Sequence, residues 1–367
     1  MNGSSPLPPN FQPATRAALP IPKTLQFALF LVGCLWMIAA YAAADYLAQA
    51  AVNRLNLPIF DALLKQVFAL LLMAAGFAML NWTATRPVAA DAGAVRRTNA
   101  LPARSTSRQE WVRGGALGWA MLLLAVLPMM LAGDLHPGFW MQPAAWVQTL
   151  LSLATLAVGA LALEVAFRGY VYSRLIAAVN PVAATIVLSL IYAIGSSYRD
   201  NATGFSIVVT FCMGVLFSLA YLRTHALWLG WGMHFAWNAA IVVLFGLPLA
   251  GYANGSTIVG TNVSGAAWFT GGAYGPEGSV LAFIVVLAAI PVLYRITRSY
   301  AWEYTHELIV AAGYEVVIAP PAAHTAMEAA APPAPLVQIL GATSTNSSTM
   351  PVIEEHLRNS TTSDSTQ

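Results

Sequence analysis

Charge is what this sequence has least of. Only 9% of its 367 residues are Asp, Glu, Lys or Arg, against roughly a quarter in an ordinary soluble domain. So few charges cannot coat a water-soluble globule. Cysteine is nearly missing as well: Cys34 and Cys212 both sit within apolar blocks, which argues against a disulfide framework or a cysteine metal cluster and for small hydrophobic roles. A net charge of +2 gives no general case for a nucleic-acid or acidic partner. No internal repeat is evident, and with it goes the usual signature of a transporter. The glycine-rich run FTGGAYGPEGS at 269–279 carries no lysine and follows no expected strand, so it reads as a flexible outer loop rather than a phosphate cradle.

What is present is apolar residue in long blocks. Hydrophobic types make up 58% of the chain, and the blocks are of the length needed to cross roughly 30 Å of hydrocarbon. They are rich in Leu, Ala and Val without strict alternation, so helices rather than barrel strands are expected. The fold class expected is all-α, a polytopic membrane bundle of about eight transmembrane helices. Spans are placed near 24–44, 64–82, 114–132, 148–178, 181–198, 205–222, 227–249 and 279–294. The first block follows Arg16 and Lys23 and is too long for a removable signal peptide.

The placement of charge gives an orientation. Residues 85–113 hold Arg86, Arg96, Arg97, Arg104, Arg108 and Arg113 among Ala, Pro, Ser and Thr, as a solvated cytoplasmic loop would. Counting crossings puts Lys23, Arg174, Arg223, Arg295 and Arg298 on the same side. The opposite side has little beyond Arg54, Lys65 and Arg199, and its long connections at 133–146 and 250–278 contain no Lys or Arg. Both termini are therefore expected in the cytoplasm, of a bacterial plasma membrane. The organisation expected is a disordered tail over 1–23, three spans over 24–132, a helical core over 147–245, a Gly-rich outer loop over 250–278, a last span over 279–298 and a mostly disordered tail over 299–367.

Ionisable and amide side chains inside apolar spans are costly and usually face one another or a polar cavity. The fourth span reads LALEVAFRGYVYSRL, which puts Glu164 and Arg168 on one helical face in the favourable order for an i,i+4 ion pair. The seventh reads LWLGWGMHFAWNAAI, which presents His234 and Asn238 to one side in the same way. The first pair alone reads equally well as a structural clamp or as part of a site, and a lone His in such a stripe is more often a satisfied core residue. Two such pairs on two spans favour a shared cavity. Asn180-Pro181 marks the turn between spans four and five, and equal distances from it place Glu164 at about the level of Ser196.

These residues resemble the CPBP family, the CAAX-protease/Abi group of intramembrane proteases, whose pattern is Glu-Glu-x-x-x-Arg, then Phe-x-x-x-His, then His-x-x-x-Asn/Asp. Glu164, Arg168 and Gly169 match the second Glu, the Arg and the usual following Gly. His234 and Asn238 match the last motif, and RTHALWLGWGMHFAWN at 223–238 resembles its usual approach. The resemblance implies an intramembrane endopeptidase with Glu164, Arg168, His234 and Asn238 as its catalytic set, acting on a membrane-bound or prenylated peptide among membrane lipids.

Two positions depart from the pattern: Leu163 stands where the family has its first Glu, and Ser196 where it has the middle His, with Tyr192 at the Phe. The resemblance gives those two positions the task of activating water, and gives the last His and Asn the oxyanion. Leu163 can do neither task, Ser196 is a poor base, and Glu164 is expected to be tied up by Arg168. Metal assistance is no easier, since Glu164 and His234 fall short of the three protein ligands usual at catalytic zinc; the family naming leaves a metal open, and no cofactor is assigned. The sequence thus leaves three readings open: a protease homologue with a degenerate site and weak or absent hydrolysis, true proteolysis with Glu164 as base, and a non-catalytic protein that holds a peptide or lipidated tail.

Overall fold

The computed structural model describes residues 21–85, 92–252 and 258–299. The expected disordered segments before residue 21 and after residue 299 lie outside the described residues. The chain is an all-α membrane bundle. Five helical stretches, 23–55, 58–85, 107–131, 143–178 and 204–224, are long and apolar enough by length and composition to cross a bilayer, and three shorter apolar ones cover 181–196, 228–244 and 280–296. Large apolar side chains stand exposed on their outer faces, among them Leu35, Leu124, Leu150 and Val182, as lipid rather than water would have it.

In order the elements are α1 (Lys23–Leu55), α2 (Asp61–Thr85), α3 (Ala92–Thr98), α4 (Ser107–Leu131), β1 (Leu135–Phe139), α5 (Pro143–Arg168), α6 (Tyr170–Ala178), α7 (Pro181–Ser196), α8 (Gly204–Thr224), α9 (Trp228–Ala239), β2 (Val259–Val263), α10 (Ala267–Thr270) and α11 (Val280–Ile296). Their ends are set by ordinary local chemistry. Asn180 caps α7 by accepting from the Ala183 N–H at 2.8 Å, with Pro181 at the first helical position. Thr203 and Ser206 form a reciprocal capping box at the start of α8.

Three stretches differ from their sequence reading. The fourth span is not one helix: it breaks at Gly169, where a Cβ would lie 2.5 Å from the Val165 carbonyl, and α6 turns off to pack along α1. The stretch read as a solvated basic loop contains α3 and the start of α4, residues 107–113. Asn99 fixes α3 against α2 by donating to the Val95 and Ala74 carbonyls at 2.9 and 3.1 Å. The stretch read as a Gly-rich outer loop over 250–278 carries β2, paired antiparallel with β1 in the register Leu135↔Val263 to Phe139↔Val259. Backbone N–H and C=O groups near a bilayer need partners, and this small ladder supplies them.

The buried apolar residues form two clusters. One gathers α4, α8, α9 and α11 around Leu122, Leu216, Met233 and Trp237, and the other gathers α1, α2, α5, α6 and α7 around Met73, Phe77, Val165 and Tyr170. In the first, α4 and α9 touch backbone to backbone: a Cβ on Gly114, Gly118 or Gly232 would fall 2.0, 2.2 or 2.1 Å from a carbonyl oxygen of the facing helix. This is close approach through small residues spaced four apart, the usual way membrane helices associate. It fixes α9, and hence His234, at the seam between the two clusters.

Candidate functional site

Glu164 and Arg168 from α5 and His234 from α9 meet at that seam, all three nearly inaccessible to solvent. The His234 Nδ1 lies 2.9 Å from Glu164 Oε1, and the Arg168 Nη1 lies 3.6 Å from the same oxygen. Gly230 makes room for the approach, since a Cβ there would stand 3.2 Å from Glu164 Oε2. Arg168 also donates from Nη2 to the Gly214 carbonyl of α8 at 3.2 Å. The rings of Tyr192, Phe217 and Phe167 surround its guanidinium at 4.9, 5.3 and 5.7 Å, a desolvated cation–π cage. The His234 ring stacks on Phe217 with centroids 4.7 Å apart.

A cavity of about 220 Å³ lies on the other side of the imidazole, with His234, Asn238, Leu163, Tyr192, Arg199 and Glu277 among its lining residues. A carboxylate only accepts hydrogen bonds, so the ring proton sits on Nδ1 facing Glu164, and Nε2 is the nitrogen left for a ligand. In the neutral ring Nε2 is an acceptor; it donates only when the ring is an imidazolium. Glu164 itself is walled in. Oε1 serves two partners and Oε2 is buried without a hydrogen-bond partner. Its place is behind the histidine, where it accepts from the ring, rather than at the cavity.

Of the two positions that depart from the motif, one lines the cavity and the other does not. Leu163 contributes an apolar side chain to the cavity wall. Ser196 is buried, and its hydroxyl donates to the Ala193 carbonyl of its own helix at 2.6 Å. Tyr192, one turn earlier in α7, and Arg199, in the connection just past its end, line the cavity instead. Among the described residues, no group of three or more His, Cys, Asp or Glu is placed to hold a metal ion.

Sequence reasoning missed Glu277. It projects from the turn Pro276–Gly278, lines the cavity with His234, and accepts a hydrogen bond from the Trp237 indole N–H at 3.0 Å on Oε1. The turn is tightly seated: Gly275 has φ +99, and a Cβ there would lie 2.0 Å from the Pro248 carbonyl. One signal pointed to it. Glu277 is the only Asp, Glu, Lys or Arg between Arg223 and Arg295. Beyond Asn238, the helix widens into a π turn over Ala240–Leu244, a feature that gathers at functional sites.

No curated protein and no solved structure matches the chain. Residues 145–240, the segment that supplies Glu164, Arg168, His234 and Asn238, match the family described as type II CAAX prenyl endopeptidase Rce1-like.

Proposed function

We propose that this chain is a CAAX-protease-like intramembrane endopeptidase homologue that has lost the inherited water-activating pair, so that its hydrolysis of ordinary peptides is slow or absent. One observation carries the reading. Leu163 lines the cavity at the position where the family has a carboxylate, while the Glu164–His234 contact behind it is intact at 2.9 Å.

Peptide hydrolysis needs a group to take a proton from water as the carbonyl is attacked, typically worth about 10²–10⁴-fold. It also needs donors placed for the oxyanion, where a single one is worth about 10²–10³-fold. The second need is served by Asn238, whose amide belongs to the cavity wall, and by His234 in its charged form. The first is not served at either inherited position, because Leu163 has no polar atom and the Ser196 hydroxyl is spent on Ala193. The remaining carboxylate on the wall is Glu277. A peptide held here meets a polarising group without its usual partner. The family match points to a prenylated or membrane-bound peptide as the ligand.

The engaged Ser196 hydroxyl favours a second reading, a protein that holds such a peptide and does not cut it. The test uses the purified chain in liposomes with a prenylated peptide and with a membrane-spanning peptide, product being counted by mass spectrometry. Little product is expected from the native chain, and Leu163→Glu with Ser196→His should raise the rate by about 10²-fold or more. Fast native turnover that Glu164→Gln abolishes and the double substitution does not improve would overturn the degenerate-site reading. A peptide crosslinked near His234 with no product formed would support the holding role.

A further inference from the structure

The cavity has a direction, and the charges of the bundle give that direction a meaning. Four hydrogen bonds tie helix ends together on one face. Arg174 of α6 bonds Gln26 near the start of α1 at 2.9 Å and also Asn81 near the end of α2. Arg104, ahead of α4, donates to the Thr224 carbonyl at the end of α8 at 2.6 Å, and Arg223 donates to Thr297 just past α11 at 3.1 Å. That face also carries Arg96, Arg97, Arg108, Arg113, Arg295 and Arg298, and its one acidic residue among those described is Glu110.

The opposite face is built from the β1–β2 ladder, the connection after α7 and the turns at 246–252 and 271–279. Its basic residues are Arg54, Lys65 and Arg199, set against Asp45, Asp61, Asp134, Asp200 and Glu277. Lys65 and Asp45 neutralise each other at 2.5 Å. An excess of Lys and Arg in short connections marks the cytoplasmic side of a membrane protein, so the face tied by Arg174, Arg104 and Arg223 is cytoplasmic.

The residues that line the cavity with His234 come from the middle of the helices and from the other face, and none from a connection on the basic face. Gln66 lies near the start of α2, and Arg199, Leu249, Ala250, Tyr252 and Glu277 come from connections on the acidic face. Tyr252 is 58% exposed and stands at the rim. On the cytoplasmic side of His234 the path is filled by the Glu164–Arg168 pair and the rings packed around the guanidinium.

We propose that the cavity is reached from the face opposite the basic residues, so that the polypeptide it takes is presented outside the cytoplasm. This rests on the site being a peptide-binding one, as argued above, and adds the side from which the peptide comes. The cavity wall offers one carboxylate and one guanidinium, Glu277 and Arg199, to a segment that enters it. The substrate class is then a membrane-anchored or secreted polypeptide exposed on the non-cytoplasmic face, rather than a tail offered from the cytoplasm.

Accessibility of single cysteines tests the proposal without any need for turnover. The background is the full chain with Cys34→Ala and Cys212→Ala, into which Tyr252→Cys at the rim, Leu156→Cys on the cavity wall or Ser105→Cys ahead of α4 is placed. Intact cells are treated with a small membrane-impermeant thiosulfonate, then permeabilised and treated again. Tyr252→Cys and Leu156→Cys are expected to react in intact cells, and Ser105→Cys only after permeabilisation. Ser105→Cys reacting in intact cells while the other two are protected would overturn the proposal, as would Leu156→Cys reacting only from the Ser105 side. A hydrolysis assay that gives no product leaves these results unchanged, so failure of the access reading and failure of the protease-homologue reading are separable.

Discussion

Replacing Glu164 by Gln keeps the side chain's shape and an acceptor for the His234 Nδ1–H, but leaves Arg168 buried without its counter-charge. At 3.6 Å, the gross attraction is about 4–5 kcal/mol at an effective dielectric near 20. Removing one partner of a buried pair costs about 3–5 kcal/mol, because the other charge stays behind uncompensated. The cage around Arg168 cannot make up the loss: its Nη2 has the Gly214 carbonyl, while Nε and Nη1 have no hydrogen-bond partner. Arg168→Met should cost a similar amount by stranding the carboxylate. The double substitution Glu164→Gln/Arg168→Met leaves no unpaired charge and should cost clearly less than the two singles together, by about 2–3 kcal/mol, toward the upper end of coupling between contacting residues. Equilibrium unfolding in mixed detergent micelles, followed by the fluorescence of the 11 tryptophans, gives the four corners of the cycle. Singles that add to the double within about 0.5 kcal/mol would refute the claim that these side chains form one buried electrostatic unit.

Two further perturbations reach the site through its supports. Gly114→Ala puts a Cβ 2.0 Å from the Leu229 carbonyl, so α4 and α9 must part; the expected cost is about 1–3 kcal/mol, with faster amide exchange along α9, whereas at Gly115, which faces open packing at 3.7 Å, the same change should be nearly silent. His225, at the αL corner between α8 and α9, has its pKa lowered by burial and by the Arg104 guanidinium beside it. The unfolded chain therefore binds more protons between the lowered value and about 6.5, the ordinary one. Stability is fully present above pH 6.5 and is lost as pH falls through that window. Melting temperature measured against pH should show this slope, and His225→Asn, which tolerates the left-handed backbone, should flatten it; an unchanged slope would assign the effect elsewhere.

How much of this was legible beforehand follows from the range of each interaction. The helical class and the rough positions of the spans came from block length and composition, because a rise of 1.5 Å per residue against a bilayer of known thickness is a local constraint. The pairs Glu164–Arg168 and His234–Asn238 were readable for the same reason: residues four apart share a helical face whatever surrounds them. The family match came from short motifs whose order and intervals survive in the chain.

Other features had no local signature. That Ser196 turns its hydroxyl to Ala193, that Glu164 stands behind the imidazole and not at the cavity, and that Gly169 breaks the fourth span all depend on which helices press against which. Glu277 could be noticed as a solitary charge, but only the turn at 276–278 folding over Trp237 carries it to His234. By itself the sequence determined an all-α membrane chain with two polar helix faces and a basic side. Only the tertiary structure decided that those faces meet and which side chains line the cavity. Helical periodicity is encoded residue by residue, whereas the meeting of α5 and α9 rests on α9 being held against α4 by backbone contact at Gly114, Gly118 and Gly232, on the room Gly230 leaves for Glu164, and on the packing of two separate apolar clusters.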